Sequence, residues 1–98
     1  MFPFFSEPTL TLQNLTTLLE SVEDDWYLIG LYLNIPWSKR DRIKREHSSD
    51  RQRSQACWSA YITESPQRSW KEVSYALYWQ GHINELEIVQ KKYLKGEQ

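Results

Sequence analysis

Apolar residues recur at steps of three and four in six successive segments of the chain, the spacing of a helix face rather than of a strand. Stop signals separate the segments, and the clearest are Pro36, the pair Ser65–Pro66 and Gly81. An amphipathic helix must bury its apolar stripe against neighbours, and 98 residues suffice for one small domain. The pattern therefore predicts an all-α fold, a six-helix antiparallel bundle with short loops.

Helix boundaries follow from capping signals and helix breakers. The candidate N-caps are Asp24 or Asp25 for the second helix, Ser38 for the third, Ser49 for the fourth, Ser69 for the fifth and Asn84 for the sixth. We expect the first helix to run from Leu12 to Val22, and the second to end at Asn34 in a left-handed conformation. The bundle is expected over residues 9–95, between an N-terminal tail at 1–8 and a C-terminal tail at 96–98.

Composition excludes several classes of protein. Hydrophobic residues make up 40% of the chain and aromatic residues 14%, with five Trp, which is unlike a disordered chain. Cys57 is the only cysteine, so no internal disulfide can form. The longest apolar stretch, residues 26–33, is much shorter than the roughly 20 residues that span a bilayer. We therefore expect no membrane insertion by this chain.

Residues that could support catalysis or hold a cofactor form no pattern. His47 and His82 stand at expected loops without a nucleophile or carboxylate at a typical spacing. Three isolated glycines cannot build a phosphate-binding loop, and helix capping accounts for Asp24 and Asp25 better than metal binding does. We expect no enzymatic activity, no small-molecule substrate, and no catalytic, cofactor-binding or metal site.

The formal net charge of −1 conceals an uneven distribution of charge along the chain. Residues 1–36 hold five acids and no base, residues 37–56 have a net charge of +4, and residues 57–98 balance. Opposite charges on one small body favour head-to-tail contact with copies of the chain or with similar partners. The alternative is two solvated faces that bind nothing.

Two segments carry a recognisable pattern: Asp25–Ile35, DWYLIGLYLNI, and Ser69–Leu77, SWKEVSYAL. They resemble the second and fifth helices of the death domain, a family of the six-helix death-fold superfamily. Trp26 and Trp70 carry the resemblance. The chain departs from the family pattern at Asn34, where a glycine is usual, at Arg40, where an aliphatic residue is common, and at Tyr61, where tryptophan is usual.

The resemblance implies a Greek-key arrangement of helices and a cytoplasmic adaptor in apoptotic or innate-immune signalling. Its partners would be other death domains, the same chain included, joined by asymmetric contacts into a homo-oligomer or filament. By position, an acidic surface would consist of Glu20, Glu23, Asp24 and Asp25, and a basic surface of Lys39, Arg40, Arg42 and Arg45.

Trp37 has two interpretations, because it lies at the corner between the second and third helices. It can anchor an interface, since Trp is enriched among the residues that dominate binding energy. Our preferred interpretation at this point is that it fills the core beneath the third helix.

Nucleic-acid binding is the alternative function. Seven bases lie within residues 39–53, which the third and fourth helices would present. Three acids, Asp41, Glu46 and Asp50, interrupt them, and the sequence pI of about 6.1 is low for a nucleic-acid-binding domain. These features favour a protein partner over nucleic acid.

Overall fold

The computed structural model describes residues 7–94, so most of the two expected tails lies outside it. This part of the chain forms six α-helices and one 3₁₀ helix, and it contains no strand. The elements are α1 (Leu12–Leu18), the 3₁₀ helix (Glu20–Asp25), α2 (Trp26–Tyr32), α3 (Trp37–Glu46), α4 (Asp50–Glu64), α5 (Trp70–Trp79) and α6 (Ile83–Lys92). The expected all-α six-helix bundle is confirmed.

Helix α4 is the longest element and the centre of the packing. It contacts α1, the 3₁₀ helix, α2 and α3, while α2 also packs against α5, and α6 packs on α5. Its inner face buries Ser54, Cys57, Trp58, Ala60 and Tyr61. The other helices are therefore held in place mainly by contacts with α4 and α2, except α6, which packs on α5.

Aromatic side chains fill much of the core. Trp58, Trp70 and Tyr61 are its largest fully buried residues, and each such side chain buries roughly 150–250 Å². Tyr93 stacks on the Trp70 ring at 3.8 Å between centroids, and Trp70 Nε1 donates to Thr9 Oγ1 at 2.9 Å. Trp70 thus links the N-terminal segment, α5 and the end of α6.

The first helix is shorter than the sequence predicts. α1 ends at Leu18, and the chain continues as the 3₁₀ helix with non-helical φ and ψ at Val22. A 3₁₀ turn contains three residues, so it directs Leu19 and Val22, three positions apart, into the core together. The apolar spacing correctly predicts a buried face, but the expectation of one continuous α-helix is wrong.

The N-cap predictions at α4 and α5 are confirmed. Ser49 Oγ accepts from the Gln52 N–H at 3.1 Å, and Ser69 Oγ accepts from the Glu72 N–H at 3.0 Å. Asn34 ends α2 at a φ of 65°, in the predicted left-handed region.

The other N-cap predictions are wrong. α3 begins at Trp37 rather than after Ser38, because Pro36 precedes the first turn with its φ already near the helical value. α6 begins at Ile83, without a side-chain cap from Asn84. Asp25 immediately precedes α2, but its carboxylate bonds to another part of the fold instead of capping the helix.

Tyr61 completes the cap of α5 from a different helix. The Ser69–Glu72 pair predicts that the Glu72 carboxylate accepts from the Ser69 N–H. Instead the Tyr61 hydroxyl lies between them, accepting from the Ser69 N–H at 3.0 Å and donating to Glu72 Oε1 at 2.6 Å. The start of α5 is thereby fixed to α4.

Replacing this hydroxyl should destabilise the fold. We expect Tyr61→Phe to lower the free energy of unfolding by about 1–2 kcal/mol, because the Ser69 N–H loses its acceptor and Glu72 Oε1 loses the Tyr61 hydroxyl as donor. Urea denaturation followed by circular dichroism measures the change. Tyr75→Phe is the matched control, since Tyr75 is 57% exposed; equal effects of the two substitutions would contradict the proposed role of Tyr61.

Alkaline pH should weaken the fold through Cys57. Burial raises the pKa of the Cys57 thiol to about 12, with a smaller opposing effect from Arg40, while the unfolded thiol titrates near 9. Between these values the unfolded chain loses the proton and the folded chain keeps it. Stability is therefore greatest below pH 9 and falls as the pH rises, by up to about 1.4 kcal/mol per pH unit from this group.

Urea denaturation of the natural chain and Cys57→Ala at pH 8, 9 and 10 isolates the thiol from other alkaline titrations. The advantage of the natural chain over the variant should shrink as the pH rises. A difference that stays constant over this range would show that the folded thiol ionises as readily as the unfolded one.

Candidate protein-interaction surfaces

The basic surface is smaller than the sequence predicts, because Arg40 belongs to the interior. Its side chain is 6% exposed, so the expectation that it contributes to the basic surface is wrong. Its Nε donates to the Ile35 carbonyl at 3.0 Å, and its guanidinium lies 4.6 Å from the Tyr27 ring centroid. Arg40 thus fixes the corner between α2 and α3.

α2 and α4 approach each other closely at Gly30, and the absence of a side chain there leaves room for Cys57 and Arg40. A Cβ atom added at Gly30 would lie 2.9 Å from Cys57 Sγ and 3.3 Å from Arg40 Cδ. Glycine is therefore required at this contact for steric reasons, not for a special backbone angle. The Arg40 side chain lies over the Tyr27 ring and donates to the Ile35 carbonyl, whereas an aliphatic side chain would only fill the volume.

Ion pairs within the fold engage two more members of the basic surface. Lys39 Nζ lies 3.2 Å from Glu64 Oε2, and Arg45 pairs with Asp41 one turn earlier on α3. Arg42 is exposed and has no ion pair with any residue from 7 to 94. It is the member of the predicted surface most available to a partner.

Trp37 is exposed, so its assignment to the core is wrong. Its side chain is 64% exposed at the first position of α3. Pro36 immediately precedes Trp37 and directs the chain into α3, and Ile35 is the residue that enters the core. An open groove of about 420 Å³ is lined by the two residues that precede Trp37 and by six others: Ile35, Pro36, Asn34, Glu64, Ser65, Pro66, Gln67 and Glu72.

Three of the four predicted acids remain available on the acidic surface. Glu20 and Asp24 are exposed and Glu23 is half-buried. Asp25 Oδ2 instead accepts from Gln80 Nε2 at 2.9 Å and lies 2.7 Å from His82 Nε2. This cluster joins the start of α2 to the turn between α5 and α6, a role that the sequence spacing of these residues did not indicate.

An apolar face on α2 and α5 was missed by the sequence analysis. Leu28, Leu31 and Tyr32 are 44%, 43% and 39% exposed, and Trp79 is 64% exposed. The Tyr32 and Trp79 rings stack at 6.5 Å between centroids, which joins the two helices at the surface. The signal was present: α2 reads WYLIGLY and has no polar side to face solvent, apart from the Tyr hydroxyls.

The structure reduces the set of bases that could contact nucleic acid. Besides the buried Arg40 and the paired Lys39 and Arg45, Arg53 donates to the carbonyls of His47 and Lys44. Lys44 lies 5.8 Å from the Tyr27 ring centroid. Within residues 7–94, three of the seven bases, Arg42, Lys44 and Arg51, are therefore exposed without an ion pair and could follow a phosphate backbone.

The described helices include none that is long and apolar enough to cross a membrane. Residues 7–94 contain no cluster of His, Cys, Asp and Glu that could hold a metal ion. No protein-family model, no curated protein and no solved structure matches the chain.

Arg40 and Arg42 should differ sharply when each is replaced by alanine. We expect Arg40→Ala to lower the free energy of unfolding by about 1–3 kcal/mol, since the Ile35 carbonyl loses its donor and a buried space opens. Arg42→Ala should change it by less than about 0.5 kcal/mol. Urea denaturation of both variants makes the comparison; a large loss from Arg42→Ala alone would contradict these assignments.

Proposed function

We propose that this chain is a death domain, a homotypic interaction module that binds death domains, including its own copies. The observation that carries the proposal is that opposite charges lie unpaired on different helices. Glu20 and Asp24 precede α2 and Arg42 lies on α3, and none forms an ion pair within the described part of the chain. Such charges are complementary between copies, not within one molecule.

Two features of the fold support the family assignment. The six helices occur in the order that the death-domain resemblance requires, and the two segments that carry the resemblance form α2 and α5. Trp26 and Trp70, on which it depends, are both buried. These features are compatible with a death domain.

The proposed mechanism is proximity. The acidic surface of one copy contacts the basic surface of the next, so the contact does not close on itself and can propagate into a chain of copies. The module would catalyse nothing, but it would raise the local concentration of the proteins attached to it. The family resemblance suggests a cytoplasmic adaptor in apoptotic or innate-immune signalling.

Charge reversal tests the contact. We expect sedimentation velocity to detect concentration-dependent association of the natural chain at low salt, weakening as salt is added. Asp24→Arg and Arg42→Glu should each abolish it, because each opposes like charges across the contact. Glu87→Arg and Lys71→Glu are the matched controls, since both residues are exposed on other helices.

Mixing the two charge-reversed chains tests whether opposite charges make the contact. Asp24→Arg leaves positions 24 and 42 both positive and Arg42→Glu leaves both negative, so each variant alone repels its own copies, while an equimolar mixture opposes unlike charges at every contact and should recover association. If the natural chain and both variants stay monomeric at high concentration and low salt, alone and mixed, the self-association proposal is contradicted.

A further inference from the structure

The apolar face, defined by Leu28, Leu31, Tyr32 and Trp79, is continuous. Leu28 and Tyr32 are one turn apart on α2, Leu31 lies between them, and the Tyr32 ring stacks on Trp79. Together these side chains expose on the order of 400 Å² of mostly apolar surface, within the range of functional patches on monomers. A helix without a charged side chain, exposed along its outer face, points to a protein that covers it.

The charge around the apolar face disfavours a symmetric contact with itself. Neither residues 7–36 nor residues 72–90, which supply α2 and most of α5, contain a Lys or Arg. Asp24 lies one turn before Leu28, and the Asp25 carboxylate bonds to Gln80, the residue after Trp79. Two such faces would oppose acids to acids, whereas an occupant with an apolar centre and a basic edge would be complementary.

α3 of the chain itself supplies both elements, an exposed apolar residue and exposed bases, with positions 37 and 42 about 140° apart around the helix axis. Trp37 is 64% exposed, and Arg42, on the same helix, is exposed and unpaired within residues 7–94. Lys44 adds a second exposed base on this helix. Trp and Arg are the side chains most enriched among the residues that dominate protein–protein binding.

We propose that the apolar face is the docking site for a second copy of this chain, which inserts its Trp37 beside Trp79 and Tyr32. The second copy's Arg42 then faces Asp24 at the edge of the contact. This inference rests on the proposed self-association and names the apolar contact at its centre. The face is about half of the roughly 800 Å² per partner in a standard interface, so a single contact is weak and repetition stabilises the assembly.

Apolar-to-polar substitutions test this contact separately from the charges. Leu28→Gln and Trp79→Gln should each lower the association constant of the full chain by about ten-fold or more in sedimentation velocity. Ile88→Gln is the matched control, because Ile88 is 46% exposed on α6 against 44% for Leu28, and it should change the constant less than about two-fold. Circular dichroism and urea denaturation verify that each variant is folded.

Disulfide trapping identifies the occupant of the apolar face. Ser38→Cys places a thiol next to Trp37, and Leu31→Cys places one on the face while retaining Leu28, Tyr32 and Trp79. The buried Cys57 does not compete. Under mild oxidation, the mixed chains should form a disulfide between the two variants more readily than either forms with itself.

Each other outcome overturns the inference, and the pattern separates it from the proposed function. Preferential self-linking of Leu31→Cys would show a symmetric contact between two α2 faces. Association that depends on Asp24 and Arg42 but not on Leu28 or Trp79 would overturn the apolar contact and leave the charged one standing. A chain that never associates would overturn both.

Discussion

The contact between α2 and α4 at Gly30 determines much of what lies around it. With no side chain at Gly30, Cys57 and Arg40 both occupy the space against α2, and the Arg40 guanidinium reaches the Ile35 carbonyl and the Tyr27 ring. This arrangement fixes the start of α3 close to the end of α2. Trp37, at the first position of α3, is then directed outward, so a steric constraint in the interior leads to an exposed tryptophan at the surface.

Long-range polar contacts fix the ends of helices where local caps do not. The Tyr61 hydroxyl joins α4 to the start of α5, and the Asp25 carboxylate joins the start of α2 to the turn before α6. Local capping rules would instead pair the Ser69 N–H with the Glu72 carboxylate, and the Asp25 carboxylate with the first turn of α2. Because Asp25 already has partners inside the fold, Glu20, Glu23 and Asp24 are the members of the predicted acidic surface left for another molecule.

The proposed interaction surfaces therefore consist of side chains left over after the fold has used the rest. Arg40 stabilises the interior, Lys39 and Arg45 pair with neighbouring carboxylates, and Arg42 remains. The apolar outer face of α2 remains exposed because α4 and α5 cover only its inner side. A weak contact built on one such apolar face and a few charges suits a module whose proposed action depends on many copies.

The sequence by itself determined the number of helices, the ends of α4 and α5 and the left-handed turn at Asn34, because spacing, caps and breakers act within a few residues along the chain. It also separated acids from bases along the chain. Tertiary structure decided that Val22 enters the core through a 3₁₀ turn, that Arg40 is buried while Arg42 is free, and that Trp37 faces solvent. Those outcomes depend on which distant helix fills the neighbouring space, which periodicity along a single helix does not specify.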